Sequence, residues 1–209
     1  MNNTISSNSD LFLSKSKNWD LKSRRVQNAK KIAEAISKNI PLNKNMHILD
    51  FGAGTGLLSY FISDKVKKIT AIDNSPSMLE VLKEKVEEKK FSCPVEVIEA
   101  DITKENIQNI KVDGIISSMT IHHIEDIENL FKIFYKMLNE NGFIALADLD
   151  KENGTFHSDN KGVFHFGFDR DELKKIAEKI GFEMINFETV NEINKPNGNF
   201  FVFLMTAFK

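Results

Sequence analysis

The sequence predicts an α/β fold, a doubly wound sheet of seven strands, mostly parallel and finishing in an antiparallel hairpin. Three observations carry this. Apolar runs of strand length alternate with segments whose apolar residues recur at spacings of three and four. The first run, Ile48-Leu49-Asp50-Phe51, opens through Gly52-Ala53-Gly54-Thr55-Gly56 into a further helix. The last quarter breaks the alternation with two strand-like runs flanking Asn194-Lys195-Pro196-Asn197-Gly198. Strands separated by helices pair in parallel and are covered on both faces, whereas two runs joined by a short turn pair antiparallel.

Taken in order, Val26, Ala29, Ala33, Ile36 and Ile40 mark an amphipathic helix closed by Pro41, expected to cover the sheet or the mouth of its cleft. Strand one is expected over 47–51, its helix starting near Thr55, and strand two over 68–73. Ser75 then caps a helix whose first position suits Pro76, with Leu79, Leu82 and Val86 as its buried stripe. Strands three and four are read at 95–100 and 112–117, with a short helix over 103–109 between them. Ile127, Leu130, Phe131, Phe134, Met137 and Leu138 mark the next helix, which Asn141-Gly142 ends before strand five at 143–149. A helix over 169–180 stopping at Gly181, and strands over 182–190 and 199–208, complete the pattern.

The chain has 209 residues, 41% hydrophobic and 28% charged, which suits one globular domain over 11–209. Residues 1–10 are polar and Asn/Ser-rich and are expected to form a disordered tail. A net charge of −2 removes the broad attraction that nucleic-acid binders show. Cys93 is the single cysteine, which excludes an internal disulfide framework and a multi-cysteine metal site. No apolar run approaches the roughly 20 residues that span a bilayer, and the first residues lack a signal-peptide core, so a cytoplasmic protein without membrane contact is expected, as monomer or homodimer.

The glycine turn carries the functional signal. Glycines serve where backbone takes positive φ or passes close to a ligand, and the helix that follows aims free N–H groups at a polar or anionic group. A dinucleotide fingerprint needs a last glycine where Leu57 stands, and no Tyr-x-x-x-Lys pair is present, so a nicotinamide oxidoreductase is disfavoured. The D-x-G-x-G-x-G form beginning at Asp50 instead resembles the first motif of class I S-adenosylmethionine-dependent methyltransferases. That family shares the Rossmann-like sheet with a terminal hairpin, and the resemblance covers roughly residues 20 to 209.

The resemblance implies S-adenosyl-L-methionine as cofactor. Asp50 and the backbone of Gly52, Ala53, Gly54 and Gly56 would hold its methionine end, although Asp50 could serve only to orient the turn. Asp73 matches the acid that binds the ribose hydroxyls, with Asn74 and Met78 beside it; helix capping is the alternative. Asp101 matches the residue that accepts the adenine amino group, Ile102 packing on the ring; shaping the loop before Thr103 is the alternative. Ser117 and Ser118 open the segment expected beside the methyl group, followed by Met119-Thr120-Ile121-His122-His123.

That segment lacks the Asn/Asp-Pro-Pro-aromatic signature of methylases acting on nucleobase or glutamine-amide nitrogens, so a small-molecule acceptor is expected. His122 and His123 are candidates for removing its proton, since imidazole titrates near neutrality; hydrogen-bonded loop histidines are the alternative. Positioning alone can supply much of the acceleration of a one-step methyl displacement. Residues 151–168 form a long connection without periodicity and are expected to be a lid. With Trp19, His157, His165 and Phe166 this builds the acceptor pocket, walled further by Phe156 and Phe164. Asp148 or Asp150 with His157 and His165 would be a metal set by residue type, but no diagnostic spacing supports it, and no metal is expected. A non-catalytic cofactor-binding protein and a protein or RNA methylase are the remaining alternatives.

Overall fold

The computed structural model describes Asp10, Ser16, Trp19, Asp20 and residues 23–105 and 109–209. In chain order the elements are α1 (Ser23–Asn39), β1 (His47–Phe51), α2 (Leu57–Ile62), β2 (Lys68–Asp73), α3 (Pro76–Glu87), β3 (Val95–Glu99), β4 (Val112–Ser118), a 3₁₀ turn (Ile121–His123), α4 (Ile127–Met137), β5 (Leu138–Leu149), α5 (Arg170–Ile180), β6 (Glu183–Lys195) and β7 (Gly198–Phe208). The strands make one seven-stranded sheet in the order β3-β2-β1-β4-β5-β7-β6. β1 to β5 run parallel, and β7 lies antiparallel to both β5 and β6. The chain winds outward from β1 through β2 to β3, then returns to β4 on the other side of β1. Such a reversal opens a crevice at the carboxyl ends of the strands.

Alternation along each strand sends consecutive residues to opposite faces, and two cores result. On one face Ile48, Ile69, Ile116 and Phe143 meet Ile32 and Ile36 of α1, Leu58 and Ile62 of α2, and Leu79 and Leu82 of α3. On the other, Leu49, Ile72, Ile115 and Ile144 meet Leu130, Phe131 and Phe134 of α4 and Leu173 and Ala177 of α5. α1 therefore covers the sheet, and polar contacts tie its outer side to β6: Asn191 bonds Asn28 and Lys31, both at 2.7 Å, and Glu188 accepts from Asn39 at 2.6 Å. Among the described residues no helix is long and apolar enough to cross a membrane.

β1 and β2 fall where periodicity places them, and Ser75 caps α3 with Pro76 in its first turn. Most other boundaries shift by one or two residues, and four differences are larger or have a clear cause. α4 ends at Met137, because Leu138 turns extended and pairs with Val112, so β5 starts five residues before Phe143 and absorbs a kink at Asn141 (φ 63). Residue 169 is the cap of α5, not its first turn: Asp169 accepts from the N–H groups of Asp171 and Glu172. β6 and β7 run on to Lys195 and Gly198, leaving Pro196-Asn197 as the hairpin turn. In place of a full helix after β3, Lys104 and Glu105 both donate to the Asp101 carbonyl in a single turn, and residues 106–108 of the expected helix lie outside the described residues. The expected tail likewise lies outside them over 1–9, while Asp10 bonds to α3.

Gly114 in β4 faces the buried ring of Phe143, whose Cζ would lie 2.2 Å from an added Cβ. Gly114→Ala should therefore cost about 1–3 kcal/mol through overpacking, read as a lower urea midpoint with unchanged slope.

Candidate functional site

β1 leaves the sheet through three left-handed residues, Gly52, Gly54 and Gly56 at φ 66, 55 and 79. The N–H groups of Gly52 and Ala53 donate to the Ile72 carbonyl at 2.8 and 3.0 Å, which fastens the turn to β2. A Cβ on Gly52 would lie 2.1 Å from Thr120 Cγ2, so the loop after β4 packs directly on this backbone. In front of Gly54 a Cβ would meet nothing within 4 Å. The turn thus has one face packed and one face open.

The carboxylates expected along the strand ends line this turn, in different states. Asp73 closes β2 and accepts the Gly54 N–H at 2.7 Å and the Ser75 N–H at 2.8 Å, which leaves acceptor capacity on both oxygens. Burial raises its pKa, against those N–H donors. Asn74 beside it is exposed, while Met78 is in the core. Asp50 is buried behind the turn, where Ser59 Oγ donates to it at 2.6 Å. Burial pushes its pKa up to about 7, opposed by the Ser59 bonds and aided by Asp73. Asp101 bonds within its own loop, accepting the Thr103 N–H and hydroxyl and pairing with Lys104 at 2.8 Å, and Ile102 is buried. Ser117 donates to the Phe51 carbonyl at 2.8 Å and so ties β4 to β1, and the Ser118 carbonyl accepts from Thr120.

Beyond Thr120 the chain enters a histidine cluster. His122 is 1% exposed and Asp148, near the end of β5, 0%. The ring Nδ1 of His122 lies 2.7 Å from Asp148 Oδ1, and the same carboxylate accepts the N–H groups of His122 and Leu149. An ionised carboxylate only accepts, which assigns a proton to Nδ1, and Nε2 is buried without a hydrogen-bond partner among the described residues. His157 reaches in from the connection after β5, its ring 5.0 Å from that of His122 and its Nε2 also buried and unpartnered. Burial first, then His122, His123 and Lys195, push its pKa down to about 4, so it is neutral at pH 7. The His123 ring lies 4.2 Å from that of His122, and its Nδ1 bonds the Gly162 carbonyl.

The other expected pocket residues divide. Trp19 carries the Arg25 guanidinium on its ring face, and Asp20 next to it accepts from Thr55 and pairs with Lys85, which holds this segment at the glycine turn. Phe166 is largely exposed and packs on Gly154. His165 bonds the Ile124 and Glu125 carbonyls, and Asp150 pairs bidentately with Arg170, so neither joins His157. Among the described residues no three His, Cys, Asp or Glu are placed to hold a metal ion.

Residues 48–142 match the family model described as a methyltransferase domain. Over this stretch the chain is similar to S-adenosylmethionine-dependent methyltransferases. An uncharacterised methyltransferase of Schizosaccharomyces pombe is 34% identical over 137 residues, covering 58% of this chain and 48% of that protein. The malonyl-[acyl-carrier protein] O-methyltransferase of Priestia megaterium is 33% identical over 130 residues, covering 61% and 44%. A methyltransferase structure from Aquifex aeolicus superposes with a TM-score of 0.69 at 23% identity, over 93% of this chain and 97% of that one, and shows the same fold. The chain spans about half the length of the curated relatives it matches.

The residues of this turn fit the S-adenosylmethionine of such methyltransferases: an open face at Gly54, acceptor capacity on Asp73 and a buried acid at Asp50. Two features escaped the sequence. Asp148 was weighed only as a metal ligand, although a carboxylate near the carboxyl end of a parallel strand is a signal in its own right. The docking of Asp20 on Thr55 had no local signature.

Asp50 makes one prediction here. Its unfolded pKa is near 3.8 and its folded value about 7, so between them the folded chain holds a proton that the unfolded chain has lost. This residue's contribution to stability accordingly falls as pH rises through that window and is gone above it. Asp50→Asn, uncharged and similar in shape, should gain steadily on the wild type between pH 4 and 7 in urea titrations of the cofactor-free protein; parallel curves would show that the acid is not desolvated.

Proposed function

We propose that this chain transfers the methyl group of S-adenosylmethionine to an O, N, S or C nucleophile of a small molecule in the cytoplasm, releasing S-adenosylhomocysteine. The observation that carries the reading is the buried His122–Asp148 pair beside the glycine turn, with an unpartnered Nε2. Gly52, Ala53, Gly54 and Gly56 with Asp50 would hold the cofactor's methionine end, Asp73 its ribose, and the loop from Asp101 to Ile102 its adenine. When bound, the cofactor supplies a methyl group activated by a sulfonium.

The chain's own work is to place and deprotonate the acceptor. His122 Nε2 takes the proton from the attacking O–H or N–H as the new bond to the methyl carbon forms and the carbon–sulfur bond breaks. Asp148 fixes the tautomer and faces the imidazolium that results, so positive charge arises next to a carboxylate rather than in apolar surroundings. His157, held neutral, offers a second acceptor for a substrate hydrogen. An acceptor that is already ionised would need only the alignment. A non-catalytic cofactor-binding protein would share the glycine turn and Asp73 but has no need of an imidazole with a free, buried lone pair.

Thermal unfolding with S-adenosylmethionine, S-adenosylhomocysteine or NAD tests the cofactor first. At a hundredfold excess over the dissociation constant a ligand stabilises by about 2.7 kcal/mol, and both sulfur ligands should raise Tm while NAD leaves it unchanged. Asp73→Ala should weaken S-adenosylhomocysteine binding by about 1.5–3 kcal/mol in calorimetry with the fold intact. His122→Ala and Asp148→Asn should leave that affinity unchanged and lower turnover of the acceptor about 10²- to 10⁴-fold, with the loss of His122 mitigated at high pH. Residues 151–168 should gain hydrogen-exchange protection when cofactor and acceptor are both present; equal exchange would remove the lid from this reading.

A further inference from the structure

Beside the histidines a second group of charges converges from α1 and from the end of β6. Arg24 and Arg25 sit in the first turn of α1, which has no acidic residue, so two guanidiniums stand at the positive end of the helix dipole, where cations are disfavoured. Arg25 stacks on Trp19 with its guanidinium carbon 3.4 Å from the ring centroid. Among the described residues no carboxylate lies within ion-pair distance of it, because neighbouring Asp20 is engaged by Lys85 and Thr55. Burial lowers the Arg25 pKa, only partly offset by Asp20.

From the other side Lys195 lays its ammonium 3.6 Å over the Phe156 ring and donates to the Phe156 carbonyl, while Arg24 reaches the adjacent Asn194 carbonyl at 3.5 Å. Burial lowers the Lys195 pKa; Glu152 counters this, and both arginines add to it. Glu152 already accepts the N–H groups of Thr155 and Phe156. Arg25 and Lys195 thus each have one acid nearby that is already engaged elsewhere, and the group continues into the histidines: Phe156 stands edge-on to His157 at 4.8 Å, and His157 lies 5.0 Å from His122.

Half-buried cations without a direct ion pair are unfavourable unless a ligand completes them. A guanidinium pre-oriented on an indole, with an ammonium near it, is a donor set suited to a carboxylate or phosphate. Resting on the methyl-transfer reading above, we propose that Arg25 and Lys195 bind an acidic group of the methyl acceptor, so that the substrate is a small carboxylic or phosphoric acid whose nucleophilic O–H or N–H faces His122. The cations select the acid, and the histidine acts at the other end of the molecule.

Trp19 is the chain's single tryptophan and lies against Arg25, so its fluorescence reports on this site. Protein loaded with S-adenosylhomocysteine is titrated with benzoate, phenyl phosphate and benzamide, with Tm shift as a second readout. The better anion should bind at least about tenfold more tightly than the amide, as expected for a charge-assisted contact. Arg25→Gln and Lys195→Gln should each remove that preference and leave S-adenosylhomocysteine affinity unchanged. Which anion binds tighter decides between carboxylate and phosphate. Benzamide matching both anions, absence of anion binding, or a preference that survives both substitutions overturns the proposal. Failure of S-adenosylhomocysteine itself to bind strikes the methyl-transfer reading instead, and the same titrations on the cofactor-free chain then still decide the anion site.

Discussion

The way β1 leaves the sheet constrains everything at the carboxyl ends of the strands. Three left-handed residues within five positions let the chain double back closely enough for two amides to reach the Ile72 carbonyl and a third to reach Asp73. Because β1 lies between β2 and β4, the same backbone also carries Thr120, and Ser117 reaches across to the Phe51 carbonyl. The loops after three strands are therefore one packed unit. A side chain at residue 52 would displace Thr120, and with it the histidines two and three residues further on.

The connection after β5 is built differently, anchored at its root on the sheet and further along on the histidine region. Asp150 bridges to Phe168, Arg170 clamps the Asp150 carboxylate, and Phe168 donates to the Leu149 carbonyl, so both ends leave the sheet from one point. Between those ends the segment touches the histidine region through backbone: the N–H groups of Phe164 and His165 donate to the His122 carbonyl. Phe164 and Phe166 remain largely exposed. The same segment brings the His157 ring to 5.0 Å from that of His122.

The parallel half of the fold was legible because each of its elements has a local cause. β1 and β2 are continuous apolar runs bounded by turn residues, and Ser75-Pro76 announces α3. The end of α4 was not legible, since Met137 and Leu138 continue its apolar stripe and only pairing with Val112 makes Leu138 a strand residue. The length of β6 was hidden for a related reason: it is an edge strand rich in Glu, Asn and Lys, held by its partner β7 and by α1 rather than by burial. At the site the glycines and Asp73 could be read from spacing. The link between His122 and Asp148 spans 26 residues of chain and exists only because β4 and β5 are neighbours. The roles of Arg25 and Lys195 depend on a still longer separation.

The two unpartnered imidazole nitrogens differ in a way that assigns their work. His122 is backed by the Asp148 carboxylate, whereas His157 is kept neutral first by burial and then by His122, His123 and Lys195 beside it. His157 is therefore held from charging. Under the proposed methyl transfer, a substrate hydrogen shared between them would pass to His122, with Asp148 behind it. Lys195 is common to the groups that keep His157 neutral and to the proposed anion site, so an anion bound there would also ease the charge next to His157.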